Sequence, residues 1–278
     1  MPNYGYHLAR TQARLLESSY RALLPQIARR KIHVTSEIRL DVFSYSSERR
    51  LTEQVASIRS FLKYAGRPHR FVVVSDGSHS TPSIDLLRSI DQCVAVEQVP
   101  VPSANLPEKF DSYLRNHKTG KQLSLIMSLP RENPAFYIDS DVLFFSAAPK
   151  INECLANKSA PAFYLQDCEF AGDERLLHSE PEKAEPVNTG VLLLLRRLDW
   201  SLSVNRFLEL SGEPTFFTNQ TMAHLTMHAN GGQPFNPATF VLQLDDQFVY
   251  SDRYAGPGLV LRHYVDPVRH KFWNSLTR

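Results

Sequence analysis

The sequence predicts an α/β protein with a mixed, mostly parallel central sheet flanked by helices. Three observations predict it. Between residues 37 and 145, short runs rich in Val, Ile, Phe and Tyr alternate with amphipathic stretches, the pattern of parallel strands joined by right-handed helical crossovers. Runs such as "FVVV" and "AFYI" are continuously apolar, which suits strands covered on both faces. Acidic residues, Asp76, Asp139 and Asp141, fall where such runs end. In sheets of this kind ligands bind outside the carboxyl ends of the strands.

The bulk numbers bound the class. The chain has 278 residues, enough for one large domain or two small ones, and its 42% apolar content supplies a sizeable core. Lys and Arg number 31 against 29 Asp and Glu, a net +2 that is dispersed along the chain and argues against a nucleic-acid partner. No run approaches the roughly 20 apolar residues that span a bilayer. The opening "MPNYGYHLARTQARLL" lacks the apolar stretch of a secretory signal. Cys93, Cys154 and Cys168 are odd in number and far apart, neither a zinc pattern nor a disulfide framework, which fits a reducing cytoplasm.

In chain order, the first thirty or so residues read as helix. Ala9, Ala13, Leu16, Tyr20, Leu23 and Ile27 recur at steps of four and three and form one apolar stripe, and Pro25 kinks or splits the segment. Arg10, Arg14, Arg21, Arg29 and Arg30 cover the rest. The favoured reading is a helix docked on the body of the protein. The alternative is peripheral contact with the inner face of an anionic membrane.

"IRLDVFSYS" is a first strand. Leu51, Val55, Ile58, Leu62 and Ala65 mark a helix that "GRP" ends. "RFVVVSDGS" is a strand running into a turn, followed by a short helix ("SIDLLRSI"), a strand ("CVAVEQV") and a Pro-rich loop. A helix through "KQLSLIMSL" stops at Pro130. In the second half, "VNTGVLLLL" and the run before "QDCEF" are strands. "DWSLSVNRFLEL" and "FTNQTMAHLTMH" are helices, and "ATFVLQL" and "LVLRHY" are strands. "HSEPEKAEP" is charged and Pro-containing, a mobile surface loop.

The stretch "FYIDSDVLFF" (residues 136–145) places two carboxylates in an apolar run. Ionised carboxylates are expensive to bury without a partner. Read as one strand, it sets Asp139 and Asp141 on the same face with Ser140 opposite. Two carboxylates so placed repel unless a proton or cation sits between them. Hard oxygen ligands suit Mg²⁺ or Mn²⁺, which are commonly held by one or two carboxylates with substrate phosphates completing the shell.

"FYIDSDVLFF", "VNTGVLLLL" and "LRHYVDPVRHKFW" occur in that order. From about Arg39 to the C-terminus, the chain resembles the metal-dependent nucleotide-sugar glycosyltransferases of the GT-A fold, and most of all the glycosyltransferase family 8 pattern. The resemblance implies residues 1–36 as an N-terminal helical extension and 37–278 as a GT-A catalytic domain, with a nucleotide-binding half to about residue 145 and an acceptor half after it. It implies that Asp139, Asp141 and His263 hold Mn²⁺ or Mg²⁺ on the diphosphate of a sugar nucleotide, UDP preferred, and that Arg269 or Lys271 meets that diphosphate. Where the family carries His-x-x-Gly-x-x-Lys-Pro-Trp, this chain has Asp266 for the glycine, wider spacing to the lysine and Phe272 for the proline.

By the same resemblance, Phe43, Ser44, Tyr45 and Asp76 hold the nucleoside, with Ser140 beside the metal pair and Lys121 reaching the donor. Asn188, in the "NTG" step, lines the sugar. Asn219 and Gln220 stand where the family has an Asp-Gln pair near the reacting carbon. An amide cannot act as a base, so Asp167, or else Asp245 or Asp246, becomes the candidate carboxylate. The expected activity is transfer of a sugar, a hexose with retention of configuration, to a carbohydrate, lipid-linked glycan or small-molecule hydroxyl. Two alternatives stand beside it. One is a non-catalytic sugar-nucleotide or carbohydrate binder on the same scaffold. The other is a sugar nucleotidyltransferase, disfavoured because "VFSYSSERR" contains no glycine for a phosphate loop.

Overall fold

The computed structural model describes residues 3–100, 102 and 106–276. Helices α1 (Tyr4–Ala22) and α2 (Leu24–Arg29) break at Leu23, with Pro25 in the first turn of α2, where its missing N–H costs nothing. Ala9 and Ala13 are buried, and the Tyr20 ring lies 5.3 Å from that of Trp273, so the stripe is covered by the C-terminal segment. The break rotates the stripe. Leu23 is 53% exposed, and Leu24 and Ala28 are buried in its place.

Next come β1 (Glu37–Ser46), α3 (Leu51–Tyr64), β2 (Arg67–Ser75), α4 (Thr81–Arg88) and β3 (Val94–Gln98). Gly66, at φ +110°, ends α3 in a conformation that side chains resist. Residues 101 and 103–105 of the Pro-rich loop lie outside the described residues. After that loop a helix not expected from the sequence appears, α5 (Glu108–Asn116), buried through Phe110, Tyr113 and Leu114, before α6 (Lys118–Met127). The rest comprises β4 (Ala135–Ile138), β5 (Val142–Phe144), α7 (Ile151–Ala156), β6 (Ala162–Gln166), β7 (Val187–Leu194), α8 (Ser201–Glu209), α9 (Thr218–Ala229), β8 (Gln233–Pro234), β9 (Phe240–Val241), β10 (Leu261–His263) and α10 (His270–Ser275).

Seven strands form the central sheet in the order β3-β2-β1-β4-β7-β6-β8. β7 runs antiparallel to both its neighbours, and the remaining pairs are parallel. One face packs Val42, Phe71, Val73, Phe136 and Ile138 against α3 and α4. The other packs Phe43, Val72, Tyr137 and Leu192 against α5, α6, α8 and α9. This is the mixed α/β sandwich the alternation predicted. No helix among the described residues is long and apolar enough to cross a membrane.

Two expectations are corrected. "FYIDSDVLFF" is not one strand. β4 ends at Ile138, the chain turns through Asp139–Asp141, and β5 joins a second, three-stranded sheet in the order β5-β10-β9. The face-sharing argument assumed an unbroken strand, whereas the carboxylates sit in the turn between two sheets. "HSEPEKAEP" is also tied down rather than loose. Glu182 pairs with Arg206 at 3.0 Å, and Lys183 with Glu174 and Glu180 at 2.9 and 3.0 Å.

Gly120 lets α6 close on the end of α5, because a Cβ there would strike the Tyr113 carbonyl. That contact sets the position of α6, which carries polar side chains toward the carboxyl edge of the sheet. Replacing Gly120 with Ala is expected to cost about 1–3 kcal/mol by overpacking against backbone. Urea denaturation measures it as a lower midpoint at unchanged slope.

Candidate functional site

The carboxyl ends of β1, β2 and β4 open on one edge of the sheet. Because β7 is antiparallel to β4, its beginning, not its end, lies at that edge. Ile138 pairs with Val191, and the Asp139 amide donates to the Gly190 carbonyl at 2.8 Å. The "NTG" step is thereby laid against the Asp-x-Asp turn. β10, antiparallel to β5, then brings His263 to the same point across 122 residues of sequence.

His263 Nε2 lies 3.0 Å from Asp141 Oδ1 and 3.8 Å from Asp139 Oδ2. Ligand atoms of the three residues fall within 4.8 Å of one another. His263 Nδ1 is 3.0 Å from Asn188 Oδ1. An Nδ1–H donating to that amide oxygen leaves Nε2 facing the carboxylates, the tautomer a metal ligand needs. Gly190 keeps the space open, since a Cβ there would collide with His263 and come within 2.8 Å of Asp139 Oδ2. Two carboxylates and one imidazole, converging where no side chain intrudes, fit Mn²⁺ or Mg²⁺.

The charges are balanced within the cluster. Burial presses the Asp141 carboxyl upward, but His263 and Arg269 outweigh it and hold it at about 2. The Arg269 guanidinium donates to Asp141 Oδ2 at 2.6 Å. Asp139, its side chain 30% exposed against 7% for Asp141, is raised by burial and by the neighbouring Asp141 charge, which His263 only partly offsets. His263 is raised as well: burial disfavours its cation, but Asp141 and Asp139 favour it more strongly.

A relay of amides surrounds this core. Gln122 Nε2 donates to Asp139 Oδ1 at 3.2 Å, Asn219 Nδ2 donates to Gln122 Oε1 at 3.0 Å, and the Tyr137 hydroxyl donates to Asp139 Oδ1 at 2.8 Å. On the far side, Asn188 and Gln220 both donate to Asp167 Oδ2, at 2.9 and 3.3 Å. Gln122, Asp139, Asp167, Asn188, Asn219 and Gln220, together with Phe216, Phe217 and Leu244, line a cleft of about 380 Å³. A smaller space of about 180 Å³, lined by Tyr45, Asp76, Lys118 and Ser140, adjoins it at Asp139 and Asp141.

The structure thus brings together Tyr45, Asp76, Asp139, Ser140, Asp141, Asp167, Asn188, Asn219, Gln220, His263 and Arg269. Six sequence candidates are placed elsewhere. The Phe43 ring is buried under the Arg131 guanidinium, and Ser44 donates to Gln54 in the core, because both stop short of the strand's end at Ser46. Lys121 lines neither space. Lys118 and Gln122, four apart on one helical face, do so instead, and Lys121 is about 100° round from Gln122. Lys271 is fully buried and donates to the Val249 and Ser251 carbonyls beside Asp246, so Arg269 alone of the pair meets the cluster. Asp246 is buried against Arg262, and Asp245 bonds Tyr254 near the surface. Of the residues missed, Gln122 was betrayed only by helical phase. Phe216 and Phe217, 63% and 45% exposed, carried the signal of two aromatics ahead of a polar helix start.

No protein-family model and no curated protein matches this sequence. Solved structures do. A galactosyltransferase, LgtC, in complex with donor and acceptor sugar analogues superposes with a TM-score of 0.58 at 14% identity, covering 85% of this chain and 95% of that one. The bifunctional glycosyltransferase WbbM gives 0.56 at 12%, covering 86% and 49%. Mouse xyloside xylosyltransferase 1 gives 0.51 at 14%, covering 84% and 99%. The fold is the GT-A fold of nucleotide-sugar glycosyltransferases, with an Asp-Asp-His cluster suited to a divalent cation at its carboxyl edge.

Asp141 and Asp139 raise the His263 imidazole, so protons compete with a divalent cation for Nε2. Affinity for Mn²⁺ is therefore expected to fall as pH drops through the raised imidazole value and to rise above it. Calorimetry in buffers of differing ionisation enthalpy is expected to show proton release on metal binding that grows as pH is lowered toward the raised imidazole value.

Proposed function

We propose that the chain is a metal-dependent glycosyltransferase that moves a sugar from a nucleotide-diphosphate sugar, preferably a UDP-sugar, to an acceptor hydroxyl. One observation carries the reading: Asp139, Asp141 and His263 converge on Gly190 at the carboxyl edge of a GT-A sheet, between two adjoining clefts. Asp139, Asp141 and His263 would hold Mn²⁺ or Mg²⁺. Such an ion, when bound, neutralises the charge that builds on a departing diphosphate.

The remaining steps belong to the side chains. Tyr45 offers a ring to stack on the base, Asp76 accepts from ribose hydroxyls, and Lys118 stands on the phosphate side of the same space. Arg269, permanently charged and forked, is placed to exchange Asp141 for a phosphate oxygen once the carboxylate is otherwise engaged. Asn188, Gln122 and Gln220 present amides that both donate to and accept from sugar hydroxyls. Phe216 and Phe217 give the acceptor side exposed aromatic faces. The half up to about residue 145 takes the nucleotide and the half after it the acceptor, whether a carbohydrate, a lipid-linked glycan or a small molecule. Cys93, Cys154 and Cys168 are free thiols, which supports a cytoplasmic setting.

The family 8 resemblance implies a hexose donor and retention. Amides, not a free carboxylate, stand next to the metal cluster, and Asp167 is held by two amide donors. This supports stabilisation of an oxocarbenium-like centre over in-line general base catalysis. Proton NMR of the first product formed reads the anomer directly. An inverted product would transfer the base role to Asp167.

The combined substitution Asp139→Asn and Asp141→Asn is expected to lower Mn²⁺-dependent turnover of a UDP-sugar about a hundredfold or more, the loss typical when charge stabilisation of a transition state is removed. Near wild-type rates in the double variant would overturn the reading. Saturable Mn²⁺-dependent donor binding without turnover in the wild type would make the chain a binder on this scaffold.

A further inference from the structure

A second cavity, of about 460 Å³, lies on the other side of Arg269 from the sugar cleft. α1 forms one wall, the turn carrying Arg49 and Arg50 after β1 another, and residues 266–273 a third. Six arginines line it against three carboxylates, Glu17, Glu53 and Asp266. Arg21 and Arg50 are spoken for by Glu17 and Glu53, at 2.6 and 3.1 Å, and Arg269 by Asp141 and Asp266. The other three, Arg10, Arg14 and Arg49, make no ion pair among the described residues. Arg10 donates only to the neutral Tyr6 hydroxyl.

Exposed arginines on one helix face are ordinarily just solvated. Here they come from separate elements and converge, and four buried atoms of the lining make no hydrogen bond: Glu53 Oε2, Arg269 Nε and Nη1, and His270 Nε2. Burial above all, with Lys271 and Arg10 adding to it, presses the His270 imidazole down to about 4. A concave wall of guanidiniums concentrates anions, and their planar forks match phosphate oxygens.

We propose that this cavity binds a phosphate or diphosphate group of the acceptor, an assignment that rests on the transferase reading for the word acceptor but not for the anion site itself. The donor's diphosphate belongs with Asp139 and Asp141, neither of which lines this cavity. Arg269, Asp266 and Pro267 line both this cavity and the sugar cleft, so one molecule can place its phosphate here and its hydroxyl there. Tyr4, Leu8 and Leu15 are exposed on another face of the same α1, which leaves both a lipid-borne and a soluble phosphate open to test.

The test uses the whole chain with inorganic pyrophosphate in EDTA, so that no metal at the aspartate pair can recruit the anion. Calorimetry is expected to show binding to the wild type and at least a tenfold loss in the Arg14→Ala, Arg49→Ala double variant. Both side chains are exposed, and an unchanged melting temperature checks that the variant folds. UDP binding in Mn²⁺ is expected to be equal in the two proteins, which separates failure of this site from failure of the donor site. A flotation assay compares vesicles of phosphatidylglycerol with vesicles of phosphatidylcholine. Binding to the former alone, lost in the double variant and competed by pyrophosphate, identifies a lipid-borne phosphate. Pyrophosphate binding without flotation identifies a soluble one. Absence of pyrophosphate binding, equal binding in the variant, or its displacement by UDP would each overturn the proposal.

Discussion

The site depends on the neutralisation of two neighbouring carboxylates by residues far away in sequence. Asp139 and Asp141 cannot both be buried and charged without a partner. In the structure the His263 imidazole and the Arg269 guanidinium supply that partner. Both come from the last sixteen residues of the chain, so the Asp-x-Asp turn is an electrostatically complete object only when β10 has docked on β5.

A second charge network explains how β10 holds its register. Successive strand residues point to opposite sides, so with His263 directed to the cleft, Arg262 is directed away from it. Arg262 is fully buried, donates to Asp246 Oδ1 at 2.8 Å and bonds Asp252, which in turn accepts from the Tyr264 and Ser275 hydroxyls at 2.9 and 2.7 Å. Lys271 lies 3.6 Å from Asp246 in the same network. Removing one member of such a network costs about 3–5 kcal/mol, because it strands a buried charge. A one-residue slip of β10 would bring Arg262 to the cleft and turn His263 away from it, so this network is a positioning device for the imidazole. The N-terminal helix completes the arrangement: Tyr20 on Trp273 and the buried Ala9 and Ala13 clamp the C-terminal segment from outside.

Much of this was legible in the residues, and the failures have identifiable causes. The β-α alternation and the apolar strands could be read because each carries a local signature, whereas Asn188 and His263 were joined to Asp139 and Asp141 only by the resemblance to the family 8 pattern. α5 was missed because its nine residues follow a Pro-rich loop and offer only three apolar positions. Lys121 was named where Lys118 and Gln122 belong, an error of helical phase that no boundary estimate good to a few residues can avoid. Lys271 was named beside Arg269 because motif spacing cannot tell which of two basic residues two positions apart faces the cleft. Its own neighbours, Asp246 and the carbonyls near Val249, lie about twenty residues away and give no local signal.

The sequence by itself determined the class of fold, the apolar run that contains the carboxylates and the need for a partner to compensate them, because period, apolarity and the cost of buried charge are properties of short segments. Only the tertiary structure decided that the Asp-x-Asp run is a turn between two sheets, that β7 enters the edge with its first residues, that Arg269 rather than Lys271 answers Asp141, and that arginines of the first helix meet Arg49 in one cavity. Those outcomes depend on strand direction and on contacts between segments a hundred or more residues apart, where the entropy of closing the chain is recovered only by packing that no local window contains.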